Sequence, residues 1–276
     1  MPGNRCAVLG DPIGHSLSPV LHTAAYQAMG LDWTYEAVRV PAGSLAGFLD
    51  GLDSSWRGLS LTMPLKREVL PLLASQDPWV VETGACNTVV IAPDGSRHGS
   101  NTDVTGALRV LGGDNPAPRR ALVLGGGATA TSVLIALRER GLTDATLAVR
   151  NPETAAETLS RIAAHPDAPE VEVRTLDDVA ASSIGADILV STVPVAAQTP
   201  ALLEATREIP VIFDVIYDPW PTPLASAARD SGRGLHSGLD LLVAQAVDQV
   251  RLMTGRSEVP EAAMRRAAEA ALESRS

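Results

Sequence analysis

The chain has 276 residues, 45% of them hydrophobic, and a formal net charge of -10 at pH 7. Its length favours two domains, because domains cluster at about 100 to 150 residues. The acidic balance argues against nucleic-acid binding, and without an apolar run of about 18 residues or a signal-like N-terminus we expect a cytoplasmic protein with no membrane partner.

Short apolar runs alternate with helical patterns from end to end, which predicts parallel α/β structure. The first series contains four predicted strands with helices between them, at residues 7–9, 34–40, 58–62 and 88–92. We expect this series to form one domain.

The string Gly14-His15-Ser16-Leu17-Ser18-Pro19 precedes the first predicted helix. Ser18 and Pro19 suit the N-cap and the first position of a helix, with Gly30 at its end. A hydroxyl pair at a helix N-terminus is also a place where a carboxylate binds. Ser16 and Ser18 therefore have a capping and a ligand-binding interpretation, and the two are compatible.

Lys66 follows the predicted strand 58–62 and is the only lysine among 22 basic residues. An arginine stays charged at any useful pH, whereas a lysine can give up and take back a proton. By itself Lys66 could equally be a chance survivor on a solvated surface. Its neighbours favour a role in proton transfer.

Those neighbours are polar strings close to the ends of predicted strands. Asn87 precedes the strand 88–92, and Asn101-Thr102-Asp103 closes this part of the chain. In open α/β sheets, ligands bind outside the carboxyl ends of the strands. We therefore expect these strings and Lys66 to converge on one cleft.

Residues 111–118 are rich in glycine and proline and predict a connector with a hinge. A second series of strands, typical of a nucleotide-binding domain, follows at residues 121–124, 145–149, 171–173, 187–190 and 211–215. Residues 239–254 and 260–273 are predicted to be helical.

The first strand of the second series leads into Gly125-Gly126-Gly127-Ala128-Thr129-Ala130 and an apolar helix that reaches about Arg140. This matches G-x-G-x-x-A, whose glycines let the backbone approach a pyrophosphate at a helix N-terminus. A glycine-rich turn without a ligand is the alternative. The next strand ends in Arg150 instead of an acid, which favours the 2'-phosphate of NADP over the ribose hydroxyl of NAD.

Two cysteines, Cys6 and Cys86, are too few for a disulfide framework, and we expect both to be reduced. The five histidines are scattered, and neither C-x-x-C nor H-E-x-x-H occurs. The sequence therefore predicts no metal site.

As a set, these residues resemble the shikimate dehydrogenases. The resemblance spans nearly the whole chain and rests on the order of residues 10–19, 61–66, 86–88 and 101–103, the glycine turn, Tyr217, and residues 237–239 with Gln245. Residues 218–224 are similar to the actinobacterial branch. The predicted organisation is an N-terminal α/β substrate domain, residues 1–103 completed by helices in 239–276, and a Rossmann-like NADP-binding domain, residues 104–238, with a cleft between them.

The resemblance implies reversible, NADP-dependent reduction of 3-dehydroshikimate to shikimate in aromatic amino acid biosynthesis. Lys66 would be the acid and base, and Asp103 would orient it. The implied substrate-binding residues are Ser16, Ser18 and Tyr217 at the carboxylate, and Thr62, Lys66, Asn87, Asp103 and Gln245 at the ring hydroxyls. The implied cofactor-binding residues are Gly125, Gly126, Gly127, Ala128, Thr129, Arg150, Asn151, Thr192, Val215 and Gly238.

Gln245 lies in an apolar helical run, where a buried polar group needs a partner that a ligand would provide. A chance polar residue is the alternative interpretation. Three positions depart from the family pattern near the cofactor: Thr154 replaces a second Arg, Leu241 replaces a Met and Ser191 replaces an Asn. We expect a weaker preference for NADP over NAD, so that NAD is a possible cofactor, and we expect the reaction itself to be unchanged.

Three alternatives stay open from the sequence. A quinate or aminoshikimate dehydrogenase could use the same scaffold, and a regulatory homologue could bind NADP without catalysis. A folate dehydrogenase would need a cleft for a large aromatic ligand, which nine aromatic residues suit poorly. The expected partner is a small-molecule substrate, and the chain could be a monomer or a homodimer.

Overall fold

A computed structural model of the chain describes residues 4–112 and 117–275, so residues 113–116 of the predicted connector lie outside the described residues. The chain divides into two compact units. The first unit contains the described residues up to Gly106 and those from Leu242 onward, and the second contains those of Ala107–Leu241. The predicted boundaries after residues 103 and 238 lie a few residues before these divisions.

The first unit is built on a six-stranded sheet with the order β2-β1-β3-β5-β6-β4. Its strands are β1 (Asn4–Gly10), β2 (Trp33–Arg39), β3 (Trp56–Leu61), β4 (Ser75–Gln76), β5 (Thr88–Ile91) and β6 (Arg97–Ser100). The helices in this part of the chain are α1 (Ser18–Ala28), α2 (Leu45–Asp50), α3 (Leu65–Glu68), α4 (Pro78–Thr83) and α5 (Thr102–Leu111).

The prediction of parallel α/β structure holds only in part for this sheet. Strand β1 pairs in parallel with β2 and β3, but β5 runs antiparallel to β3, and β6 runs antiparallel to β5. Strands β5 and β6 form a hairpin whose turn contains Gly95, at φ +83°, and Asp94, whose Oδ1 accepts from Ser96 N at 2.9 Å. An apolar run predicts a strand but carries no information on its direction.

The core of this unit is mainly aliphatic and fixes the short helix α3 on the sheet. Leu65 of α3 and Val69, its C-cap residue, are completely buried in a cluster with Leu59 and Leu61 of β3. Full burial of such a side chain stabilises a fold by about 1.5 to 3 kcal/mol. The backbone that carries Lys66 is therefore held by its immediate neighbours in the sequence.

The second unit is built on a six-stranded parallel sheet with the order β12-β11-β10-β7-β8-β9. Its strands are β7 (Arg120–Leu124), β8 (Asp144–Val149), β9 (Glu170–Thr175), β10 (Ile188–Ser191), β11 (Val211–Asp214) and β12 (Gly234–Ser237). Its helices include α6 (Ala128–Glu139), α7 (Ala156–Ala163), α8 (Leu176–Ala180), α9 (Pro200–Ala205) and α10 (Pro223–Asp230). This order is that of a dinucleotide-binding Rossmann sheet, so the fold prediction for this part of the chain is confirmed.

Two further helices, α11 (Gly238–Thr254) and α12 (Glu261–Glu273), follow β12, as predicted. The residues of α11 from Leu242 onward and all of α12 belong to the first unit, where α12 packs on α1. Across the described residues, every helix is too short or too polar to span a membrane.

Candidate active site

The ends of three strands in the first unit bring polar residues together. Ser60 near the end of β3 pairs with Thr88 at the start of β5, and Thr88 pairs with Ser100 at the end of β6. Because β5 is antiparallel, its first residue lies at the same edge of the sheet as the last residues of β3 and β6. Residues just outside these strands, including Thr62 and Asn87, therefore share one edge.

Lys66 and Asp103 form an ion pair at this edge. The Nζ of Lys66 donates to Asp103 Oδ2 at 2.5 Å, and the two side chains are only 15% and 10% exposed. The main-chain oxygen of Lys66 accepts from Cys86 N at 2.7 Å, which ties α3 to the segment before Asn87. The carboxylate balances the charge of the ammonium in this sheltered place, and the ammonium can donate a proton to a ligand.

Asn87 fixes the second oxygen of that carboxylate. Its Nδ2 donates to Asp103 Oδ1 at 2.8 Å and to Thr102 Oγ1 at 3.0 Å, while its Oδ1 accepts from Thr102 N at 2.8 Å. Asp103 is thus held on one oxygen by Asn87 and on the other by Lys66. Asn87 and Asp103 are both buried, so these contacts form largely out of competition with water.

Gln245 in α11 has partners inside the protein. Its Nε2 donates to Leu242 O at 2.9 Å, and its Oε1 accepts from Thr102 Oγ1 at 3.4 Å. Gly106 allows α5 and α11 to approach closely, since a Cβ there would lie 3.0 Å from Gln245 N. Burial of Gln245 therefore does not by itself require a ligand, and its substrate-binding role stays a prediction.

The serine side chains before α1 do not match the capping interpretation. Leu17 occupies the N-cap position of α1 without a side-chain cap bond, so the prediction that Ser18 caps this helix is wrong. The Oγ of Ser16 instead accepts from Ser18 N at 3.3 Å. Among the described residues, the hydroxyls of Ser18 and Thr62 have no hydrogen-bond partner, and no hydrogen bond joins either residue or Ser16 to Lys66.

The glycine turn of the second unit has the features of an anion cradle. Gly125 adopts φ +100°, and a Cβ there would lie 2.2 Å from Thr192 Oγ1. Gly127 is the N-cap of α6 and provides no side-chain cap, so the first-turn N–H groups that follow are left for an anion. Helices α8, α9 and α10 of the same unit are capped by threonine side chains.

Arg150 lies directly after β8 and is exposed, with no ion-pair or hydrogen-bond partner among the described residues. It is therefore available to a 2'-phosphate. Asp144 is the first residue of β8 and lies at the opposite end of that strand, as the sequence predicts. The residues present thus suit NADP better than NAD.

Other predicted cofactor residues shape the backbone of the second unit. The Oδ1 of Asn151 accepts from Glu153 N, and Thr192 Oγ1 donates to Leu124 O at 2.9 Å. At Gly238 a Cβ would lie 2.1 Å from Val215 O, so only glycine allows this approach. Tyr217 also lies in the second unit, whereas the other predicted substrate residues lie in the first.

A buried polar cluster that contacts Asn87 was not predicted from the sequence. It contains His22, Tyr35, Ser60, Thr88 and Gln249, all of them buried. The available signal was Gln249 itself, a second glutamine in the apolar run of α11, four residues after Gln245. Within the described ranges, no three His, Cys, Asp or Glu side chains group together as metal ligands do.

His22 gives this cluster a measurable pH dependence. Burial lowers the pKa of His22 to about 3, against the opposing effect of its hydrogen bond to Gln249. An unfolded histidine takes up a proton below about pH 6.5 while folded His22 stays neutral, so a falling pH favours unfolding. Between pH 7 and 5, the protein should lose about 2 kcal/mol more unfolding free energy than His22→Gln does.

Chemical unfolding followed by circular dichroism at both pH values measures this difference. His15→Gln, at an exposed position of the same unit, is the matched control. Equal losses in the unaltered protein and in His22→Gln would show that His22 does not contribute.

Comparison with known proteins places this geometry in a family. The model of the shikimate dehydrogenase substrate binding domain matches residues 8–89, and that of the shikimate 5'-dehydrogenase C-terminal domain matches residues 238–269. The NADP(+) shikimate dehydrogenase of Moorella thermoacetica is 37% identical over 269 residues, which cover 94% of this chain and 90% of that protein. The chain belongs to the shikimate dehydrogenase family.

Solved structures of the family agree in fold. The crystal structure of Mycobacterium tuberculosis shikimate dehydrogenase has a TM-score of 0.85 at 38% identity, covering 97% of this chain and 99% of that one. Quinate dehydrogenase from Corynebacterium glutamicum, in complex with NAD, has a TM-score of 0.88 at 28% identity, with coverages of 97% and 99%. The predicted family and the two-domain α/β fold are thus confirmed.

Proposed function

We propose that this chain is an NADP-dependent oxidoreductase that reversibly reduces 3-dehydroshikimate to shikimate in aromatic amino acid biosynthesis. The observation that carries the proposal is the Lys66–Asp103 ion pair, whose carboxylate is fixed by Asn87, in a member of the shikimate dehydrogenase family. The proposal includes a small-molecule substrate and a cytoplasmic location. We also propose that the chain binds no nucleic acid, as its acidic balance predicts, and that it is a monomer or a homodimer.

NADPH supplies the hydride when it is bound. The C3 carbonyl of 3-dehydroshikimate becomes an alcohol by gaining that hydride at carbon and a proton at oxygen. Lys66 in its ammonium form stabilises the negative charge that develops on the oxygen and donates the proton, and in the reverse direction it takes the proton back. Asp103, held by Asn87, orients Lys66 and balances its charge.

The remaining substrate contacts are those that the family resemblance implies. Ser16, Ser18 and Tyr217 would hold the substrate carboxylate, and Thr62, Asn87, Asp103 and Gln245 would bond the ring hydroxyls. The hydroxyls of Ser18 and Thr62 have no protein partner among the described residues, so a ligand would satisfy them without breaking an existing hydrogen bond.

Initial rates with shikimate and with quinate, each against NADP and NAD, test the proposal. We expect the highest kcat/KM for shikimate with NADP. The structure of quinate dehydrogenase fits this chain as well as that of a shikimate dehydrogenase does, so fold similarity does not separate the two activities. A higher kcat/KM for quinate would establish the alternative, and no turnover in any pairing would indicate a non-catalytic homologue.

Arg150 is expected to set the preference for NADP. Arg150→Gln removes a guanidinium that would pair with the 2'-phosphate, so the Kd of NADPH should rise about 10- to 100-fold while that of NADH stays unchanged. Titrations of reduced-nicotinamide fluorescence measure both constants. Arg207→Gln, at an exposed arginine of the same unit that pairs with Glu204 and Glu208, is the control. Equal weakening of both cofactors would contradict a phosphate contact.

A further inference from the structure

Gln249 of α11 is the centre of the buried cluster that contacts Asn87. It is 1% exposed, and its carboxamide makes four hydrogen bonds. Its Oε1 accepts from Ser60 Oγ at 2.9 Å and lies 3.2 Å from His22 Nε2. Its Nε2 donates to Asn87 O at 3.3 Å and to Thr88 Oγ1 at 3.1 Å. Every donor and acceptor of this side chain is therefore used.

The partners determine which end of the carboxamide faces which neighbour. The main-chain oxygen of Asn87 can only accept, so Gln249 must present its Nε2 to Asn87 and its Oε1 to His22 and Ser60. His22 must then carry its proton on Nε2, which leaves Nδ1 to accept from Tyr26 OH at 3.4 Å. Because burial lowers the pKa of His22 to about 3, the ring carries this single proton at neutral pH.

The hydrogen-bond directions set by Gln249 extend through Thr88 and Asn87 to the Lys66–Asp103 pair. Thr88 Oγ1 accepts from Gln249 and donates to Asn87 Oδ1 at 2.8 Å, which is nearer than its other neighbour, Thr102 Oγ1, at 3.3 Å. Asn87 Oδ1 also accepts from Thr102 N, so a flipped Asn87 would place its NH2 group against two donors. The unflipped Asn87 turns its Nδ2 towards Asp103 Oδ1.

We infer that Gln249 is a positioning residue for the proposed reaction: by fixing the Asn87 main chain and, through Thr88, its carboxamide, it orients the Asp103 carboxylate that pairs with Lys66. Gln249 acts on Asp103 through Asn87, whose main-chain oxygen accepts one of its hydrogen bonds. The inference rests on the proposed function for its kinetic consequence, whereas the geometry of the Lys66–Asp103 pair can be tested without turnover.

Gln249→Met is the test variant, because methionine has a similar length and flexibility but cannot donate to Asn87 or Thr88. We expect kcat/KM for shikimate to fall about 10- to 100-fold, because a displaced Asp103 no longer orients Lys66. The Kd of NADPH should stay unchanged. We also expect Lys66 to react several-fold faster with an amine-directed reagent, since a displaced Asp103 no longer holds the ammonium. Lys66 is the only lysine of the chain, so peptide mapping separates its label from that of the N-terminus.

Tyr35→Phe is the matched control within the same cluster. It removes the buried hydroxyl that donates to Ser60 Oγ at 2.6 Å and keeps the ring stacked on His22, but it leaves all four bonds of Gln249 in place. It should lower the melting temperature and leave kcat/KM and Lys66 labelling unchanged. Gln249→Glu retains one donor and one acceptor when its carboxyl is protonated, so it should fall between the unaltered protein and Gln249→Met.

Unchanged kcat/KM and unchanged Lys66 labelling in folded Gln249→Met would overturn the inference, and so would equal effects in Tyr35→Phe. Should Gln249→Met fail to fold, Gln249→Glu replaces it, with unchanged labelling again the contrary result. If the unaltered protein does not turn over shikimate, the proposed function fails, yet the labelling rates still decide whether Gln249 positions the pair.

Discussion

Lys66→Arg is expected to lower kcat for shikimate oxidation by about 10²- to 10⁴-fold, the range that general acid–base catalysis contributes. Arginine keeps the positive charge and can still pair with Asp103, but it does not release a proton at any useful pH. The substitution therefore separates charge stabilisation from proton exchange. Stopped assays of NADPH formation at saturating shikimate and NADP measure the change.

The neighbouring residue offers a reciprocal control. Arg67→Lys exchanges the same two residue types at an exposed position of the same short helix, so it should leave kcat unchanged. A kcat near that of the unaltered protein in Lys66→Arg would show that Lys66 contributes its charge alone, and that another group or solvent moves the proton.

Asp103→Asn is expected to lower kcat by about 10²-fold or more, because it removes the charge that faces the Lys66 ammonium. The amide is the same size as the carboxylate, and its oxygen can still accept from Asn87 Nδ2. Its NH2 group, however, would meet the Lys66 ammonium, so two donors would face each other. The ion pair cannot form, while the surrounding packing is retained.

Asp248→Asn is the matched control, since this carboxylate is also in the first unit, 14% exposed and paired with Arg251. It should leave kcat unchanged. Because Lys66 and Asp103 act as one unit, the double variant should be about as slow as the slower single variant. Losses that multiply in the double variant would show that the two side chains act independently.

The second unit could be predicted almost completely from its sequence. Parallel strands buried on both faces are continuous apolar runs, and the glycine turn marks the first crossover, so the sequence predicts a Rossmann-like domain and the positions of five strands. Among its described strands only β12 was missed, because Gly234 and His236 interrupt its short apolar pattern. These are local signals, and a single sequence contains them.

In the first unit, local signals do not predict the strand direction or the buried contacts. The sequence places Asn87 before a strand, and in a parallel sheet that position lies at the edge opposite Thr62. The predicted convergence of the two residues is right only because β5 is reversed, which the apolar run 88–92 does not reveal. The buried role of Gln249 is equally hidden, since its four partners come from residues 22, 60, 87 and 88, far away in the chain.

The return of the last two helices to the first unit has a consequence for synthesis on the ribosome. Domains generally fold as units in the order in which they emerge. A nascent chain that ends before Leu242 already contains every strand of both sheets, yet it lacks Gln245, Gln249 and the helix that carries them. Lys66, Asn87 and Asp103 are made long before the glutamine that aligns them, so the catalytic arrangement should be assembled only after α11 has been synthesised.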